Sequence, residues 1–501
     1  MKNIPKIKLG IVVGSTDWMS EEIAIKQRKK LIENYRCKYD DTDIYECQVC
    51  ITDNEVNLKR ALKELNNENC NALCIYYANY GPESAGTLLA HEFLGPVMIM
   101  GAAEEEGEDL GISRKDSLSG IINAFYATKL KNENVYITTD PIGTIEECVD
   151  KIREFLAVSR TVIGLKNLKL ISFGPRPASY LAASAINYPL YDMGVDISEY
   201  SEMELYDSYL KHSNDVRINK IEKEMLEELC IKSENNSIRR MAQYELTMKD
   251  WIRAHKGNRN YVALSSTCWP AFPVNYGFSP CYVHSRLTFE GMPVACEVDE
   301  YGAISEYVGQ CLSEETVTLL NINNSIPKDL YEHNIKDKAF NGKKYELDDL
   351  FLGYHCGVTC SSRMKSVRFE KHFVNNQLIG SEKSDGTIHG DIVSGPVTLL
   401  RIQSDKRGKL MAYVAQGQVL PVDVDTYGGK GIIAVPQMRR FIKNVIIEKG
   451  YPNHVVVLFG HYGELAINTL KYMGIDCLDY NHPKEIPYNG ENYYSQNIEW
   501  F

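Results

Sequence analysis

Short apolar runs and longer amphipathic stretches take turns along the first 160 residues. Residues 8–13 read as a buried strand and 21–33 as a helix with a polar face. The alternation runs on through 43–51, 54–65, 72–77, 84–93, 97–101, a helix at 118–129, a strand at 135–139 and a helix at 145–156. Strand and helix in turn predict parallel βαβ units with helices on both faces of a sheet. The pattern restarts with a strand at 168–173, broken by Gly174-Pro175-Arg176-Pro177. A charged helical stretch follows over 202–255, with Ile221, Met225, Leu226 and Leu229 at helical spacing, and 261–265 returns as a strand. Beyond residue 313 strand signals dominate, at 395–403, 409–416, 431–436 and 454–459, with helices at 438–449 and 464–473. The expected fold class is α/β. Two α/β domains cover 1–164 and 165–312, and a mainly β, barrel-like domain covers 313–501.

At 501 residues the chain is too long for one ordinary core. Its 44% hydrophobic and 24% charged content excludes disordered, collagenous and coiled-coil classes. No apolar run reaches the ~18 residues of a membrane span. The opening MKNIPKIKLGIVVG meets acidic residues too soon for a signal peptide, so a cytoplasmic protein without a membrane partner is expected. A net charge of −12 argues against a nucleic-acid partner. In a reducing compartment the 14 cysteines are expected as free thiols. Cys47 and Cys50 form a C-x-x-C inside an alternating strand, whereas a redox pair opens a helix. Cys356 and Cys360, beside His355, lack the second half of a zinc site. The first strand ends in Val13-Gly14-Ser15-Thr16, at the end of a sheet where ligands bind, but no G-x-G-x-x-G and no phosphate loop occurs, which disfavours dinucleotides.

Three places set ligand-capable side chains in apolar surroundings. They are Pro293-Val294-Ala295-Cys296-Glu297-Val298-Asp299, Leu352-Gly353-Tyr354-His355-Cys356-Gly357, and Tyr451-Pro452-Asn453-His454 leading into an apolar run. A carboxylate that ends an apolar run needs a cation or a proton. Arg286 is one candidate partner for Glu297. In an extended stretch Asp299 would share the face of Glu297. A lone histidine at a strand start is more often a core or edge residue than a ligand, and no spacing rule joins residues this far apart.

Together with Ser265-Ser266-Thr267-Cys268-Trp269-Pro270, Leu319-Leu320-Asn321-Ile322-Asn323-Asn324, Ser394-Gly395-Pro396-Val397-Thr398 and Asp425-Thr426-Tyr427-Gly428-Gly429-Lys430-Gly431, these segments resemble the L-fucose isomerase and L-arabinose isomerase superfamily. The resemblance covers most of 260–460 by motif and the whole chain by architecture, and it implies that the α/β domains at 1–164 and 165–312 are Rossmann-like and that 313–501 is a β-barrel domain. It implies a metal-dependent aldose–ketose isomerase working through an enediol, built as a trimer or hexamer whose cleft a neighbour helps to close. It implies a divalent metal, Mn²⁺ first with Mg²⁺ or Co²⁺ as alternatives. Glu297 matches the first metal carboxylate and proton-transfer group, His454 the metal histidine, and His355 a further metal histidine. Trp269, Asn453 and Tyr427 fall at substrate-binding positions. Asn321 departs from the pattern, since the superfamily has a metal-binding, proton-accepting acid there. An amide can offer oxygen to a hard cation but cannot take a proton. Either Glu297 works with another group, such as Asp299 or a metal-bound water, or the chemistry has moved to a modified or acidic sugar, or the chain is a non-catalytic sugar-binding relative. The arginine that fucose isomerases carry after the first strand is absent from Val13–Asp17.

Overall fold

The computed structural model describes residues 3–39, 43–108, 110–111, 114–232 and 235–492. Positions 233–234 of the expected helical stretch and 493–501 of the third expected domain lie outside them. The chain sorts into two compact units. One is Pro5–Gly164 with Asn468–Gly474, and the other is Leu165–Ile467 with the flanking terminal segments.

In the first unit five parallel strands, β1 (Leu9–Gly14), β2 (Ile44–Ile51), β3 (Ala72–Tyr77), β4 (Val97–Ala102) and β5 (Ile142–Gly143), lie in the order β2-β1-β3-β4-β5. Every residue of β1, β3 and β4 is buried, as a parallel sheet covered on both faces requires. The strand expected at 135–139 does not form. Tyr136 makes a single bridge to Met98, and the edge of the sheet is taken by β5 instead. The apolar side chains of Val135 and Tyr136 are buried all the same, which is what their pattern reported.

The second unit begins with four parallel strands, β6 (Leu168–Phe173), β7 (Asp196–Tyr200), β8 (Tyr261–Ser266) and β9 (Val294–Cys296), ordered β7-β6-β8-β9. The charged stretch between β7 and β8 resolves into three helices, Glu202–Lys211, Ile218–Glu228 and Asn236–His255. Ser201 with Glu204 caps the first as a capping box, and Asn235 caps the third.

Nine further strands follow: β10 (Thr318–Asn324), β11 (Leu350–His355), β12 (Met364–Lys371), β13 (Asp385–Ile392), β14 (Gly395–Ser404), β15 (Leu410–Val419), β16 (Gly429–Ala434), β17 (His454–Phe459) and β18 (Cys477–Tyr480). Their order is β12-β13-β16-β11-β10-β17-β14-β15-β18, and β15 also pairs with β16. That extra pairing closes six strands, β16-β11-β10-β17-β14-β15, into a ring. Closure leaves those six without a free edge. The helix Glu300–Ser313 is buried along almost its whole length and packs on β8, β14 and β17, so it ties the four-stranded sheet to the barrel. Among the described residues no helix is long and apolar enough to cross a membrane.

Candidate active site

The carboxyl ends of β8 and β9 deliver the first site residues. After β9 the chain turns sharply. Glu297 and Val298 have φ of 61° and 59°, the left-handed region that non-glycine residues seldom adopt. The stretch is therefore not extended, and Glu297 and Asp299 do not share a face as a strand would have placed them. The turn swings Glu297 toward the loop after β8, where Trp269 Nε1–H donates to Glu297 Oε1 at 3.1 Å. Arg286 is not its partner. That guanidinium serves Glu245 at 2.7 Å and Glu228.

His454, the first residue of β17, lies between the two acids. Its Nε2 is 3.3 Å from Glu297 Oε2, an ion-pair contact rather than an aligned hydrogen bond. Its Nδ1 is 2.8 Å from Asp299 Oδ2. Asp299 is fully engaged. It accepts two bonds from Arg401, at 2.6 and 2.9 Å, and caps the helix Glu300–Ser313 by accepting from Gly302 N–H at 2.9 Å. Arg401 in turn donates to Gln403 at 2.6 Å. With every Asp299 oxygen occupied and the side chain buried, it is not free to exchange protons with a substrate. Its place is to orient His454, as outer-shell carboxylates orient working histidines. The apolar run Val397–Gln403 around Arg401 held the signal that could have revealed this arginine, because a charge inside a buried strand needs a fixed counter-charge.

The electrostatics follow from these contacts. Burial acts to raise the Glu297 carboxyl, but the hydrogen-bonding and charge of His454, with the Trp269 N–H, outweigh it and hold Glu297 below its ordinary value. Burial likewise opposes ionisation of Asp299, yet Arg401 and His454 keep it well below the usual carboxylate range. For His454, burial lowers basicity, while Asp299 and Glu297 together push it up to about 9. His355 behaves oppositely. Burial, then the charge of His454, takes it down to about 3, so it is a neutral imidazole. Glu306, in the helix behind Asp299, is pushed up to about 8, by burial first and Asp299 second.

Asn321 sits opposite His454 in the β10–β17 ladder and opposite Tyr354 in the β10–β11 ladder. Asn453 Nδ2 donates to Asn321 Oδ1 at 3.0 Å, and Tyr180 O–H donates to Asn453 Oδ1 at 2.9 Å. The Tyr180 ring lies 5.6 Å from that of His454, and the His355 ring 5.7 Å from it on centroids. The fold thus gathers Glu297, Trp269, Asn321, His355, Asn453 and His454. Tyr427 stands farther along the barrel rim, stacked on Phe373 at 4.1 Å and edge-on to Tyr354 at 5.5 Å. Tyr180 and Arg401 escaped the sequence reading, Tyr180 because it lies in a loop without periodicity.

Residues 10–166 match the family described as "Fucose/sulfoquinovose isomerase, N-terminal domain", and residues 353–481 match "L-fucose isomerase, C-terminal domain". The chain belongs to the fucose isomerase family. It is an aldose–ketose isomerase. It is 22% identical over 398 residues to a sulfoquinovose isomerase of Clostridium sp. (strain MSTE9), covering 77% of this chain and 81% of that protein. A sulfoquinovose isomerase of Alkalicoccus urumqiensis is 23% identical over 314 residues, 62% of this chain and 64% of that protein. One of Priestia aryabhattai is 21% identical over 333 residues, 66% and 68% respectively.

Among the described residues no three His, Cys, Asp or Glu side chains form a ready-made metal cluster. The donor chemistry nevertheless suits a divalent cation. Among the described residues His355 Nε2 is buried without a hydrogen-bond partner, and His454 keeps Nε2 toward Glu297 because Nδ1 is committed to Asp299; a cation there would displace the proton that the two acids hold on His454. Two imidazole nitrogens, one ionised carboxylate and the Asn321 amide oxygen form a mixed N/O set of the kind that first-row divalent metals accept.

Proposed function

We propose that the protein interconverts a sulfonated aldohexose, sulfoquinovose or a close relative, and the corresponding ketose, with a divalent cation, Mn²⁺ foremost, at Glu297, His454, His355 and Asn321. The observation that carries the reading is the Glu297 carboxylate, kept ionised and aimed by Trp269 and His454 at the end of a parallel sheet. The relatives named sulfoquinovose isomerase support the substrate.

The reaction moves one proton from C2 to C1 and one from O2 to O1. Glu297 is the base that takes the C2 proton and returns it to C1. Asn321 cannot share that task. It binds sugar oxygens through its amide and leaves the proton on a single carboxylate. The bond to Asp299 holds the His454 ring so that Nε2 faces Glu297 and the sugar. A bound cation would supply positive charge to the two sugar oxygens while the enediol forms. We take the working form to be an oligomer of three or six copies. An apolar stripe on the helix Ser117–Leu130, with Leu118, Ile122, Tyr126 and Leu130 each more than half exposed, supports self-association.

The test is a substrate panel of sulfoquinovose, glucose, L-fucose and L-arabinose, offered to enzyme stripped with chelator and then reloaded with Mn²⁺. Ketose should form fastest from sulfoquinovose and only after reloading. Undiminished turnover by the stripped enzyme contradicts the metal. Preference for a neutral sugar contradicts the substrate.

A further inference from the structure

In the four-stranded sheet the chain leaves β6 toward β7 on one side and later returns as β8 on the other. The loops after β6 and β8 therefore flank the topological switch point, where open α/β sheets bind ligands. The β8 loop carries Trp269, which holds Glu297. The β6 loop carries Arg176 and Tyr180. The two loops are tied together, since Thr267 Oγ1–H lies 3.3 Å from Phe173 O and 3.2 Å from Pro175 O. Tyr180 reaches the site from the same loop, by its ring beside His454 and its hydroxyl on Asn453.

Arg176 is a cation without a carboxylate. Its Nη1–H groups donate to the carbonyls of Pro177 and Ala178, at 3.0 and 3.1 Å, and its Nε–H to the Ser184 hydroxyl. These acceptors are neutral. No ion pair to Asp or Glu forms at Arg176 among the described residues, whereas Arg286, Arg401 and Arg440 each hold at least one acid. Neutral acceptors orient a guanidinium and leave its charge uncompensated. Arg176 is part-buried, between two prolines that stiffen the loop. A planar, permanently charged fork of this kind recognises oxyanions by paired hydrogen bonds.

We propose that Arg176 is the specificity-determining residue that binds the sulfonate of the substrate, with its Nη2 edge turned to the anion. This rests on the reading that the substrate is a sulfonated aldose. It also fits the amide at Asn321, which leaves the reaction end of the crevice with one carboxylate fewer to repel an anionic sugar.

The test compares wild type, Arg176→Gln and Arg176→Lys on sulfoquinovose and on glucose, which share the reacting end and differ at C6. Loss of one charge-assisted contact should lower kcat/KM for sulfoquinovose about 10- to 100-fold in Arg176→Gln, mainly through KM. Turnover of glucose should be unchanged, and Arg176→Lys should restore part of the loss. Calorimetric titration of sulfoquinovose into Glu297→Gln enzyme, with and without Arg176→Gln, reads binding with turnover suppressed. Equal losses on both sugars, or no loss on either, overturn the role of Arg176 while leaving the proposed substrate intact. A wild type that neither binds nor isomerises sulfoquinovose overturns both. Binding that depends on Arg176 without isomerisation overturns only the proposed reaction.

Discussion

At the scale of single residues, the decisive substitution is the amide at position 321. Asn321 Oδ1 already accepts from Asn453, so Asn321→Asp keeps that bond and adds only a charge. The added carboxylate should raise Mn²⁺ affinity at least about tenfold, since a full negative charge replaces an amide dipole in a part-buried site. It should also speed neutral aldoses and slow sulfoquinovose. Titration with Mn²⁺ and paired kcat/KM values check this, and unchanged metal affinity would mean that Asn321 lies off the metal. A second residue-scale outcome concerns Arg401. Removing it leaves Asp299 buried without its bidentate partner, and breaking such a pair costs on the order of 3–5 kcal/mol. Arg401→Met should lose that much stability in denaturant unfolding, and His454 its fixed orientation. A loss below about 1 kcal/mol would show that His454 alone satisfies Asp299.

At the scale of elements, the helix Glu300–Ser313 joins the site to the core, and Glu306 gives it a pH signature. Glu306 faces Asp299 and His454, lies within electrostatic reach of Cys360 and is near the backbone of Leu319. Its folded value of about 8 lies above the ordinary 4.5. Its contribution to stability is therefore fully present below pH ~4.5 and is lost as pH rises through about 8. Glu306→Gln does not titrate, so its stability relative to wild type should climb between pH 5 and pH 8, by on the order of a few kcal/mol. Denaturant melts at several pH values measure this, and a difference that stays flat with pH contradicts it. Strands such as Ala72–Tyr77, Leu168–Phe173 and His454–Phe459 were legible because each is an apolar run bounded by turn residues. The 135–139 run misled because burial and ladder pairing give the same apolar pattern at a sheet edge. The turn at Glu297–Val298 was hidden, because its positive φ falls on residues that carry no glycine signal. Of the candidate site, Glu297 and His454, which the structure brings within 3.3 Å, were named through motif resemblance. The Asp299–Arg401 link was not, because it joins residues 102 apart through a barrel strand.

At the scale of the whole molecule, the apolar stripe of Leu118, Ile122, Tyr126 and Leu130 needs cover. A helix apolar on its outward face as well as its inward one is ordinarily buried. The stripe carries no acid, so a second copy of this acidic chain meets no repulsion there. Sedimentation should give three or six times 56.9 kDa. Ile122→Glu with Tyr126→Glu should shift the mass downward while leaving the secondary structure intact. A wild type at the single-chain mass at micromolar concentration would contradict the oligomer.

Glu297, as the group that carries a proton between neighbouring sugar carbons, is the centre of the proposed reaction. The direct measurement is NMR of sulfoquinovose incubated in D₂O with Mn²⁺-loaded wild type and with Glu297→Gln. Wild type should yield the ketose, with solvent deuterium entering at the exchanging carbon as the carboxylate trades protons with water between steps. Glu297→Gln should lose about 10²- to 10⁴-fold in rate and show no exchange. Ketose formation by Glu297→Gln at the wild-type rate would contradict the account.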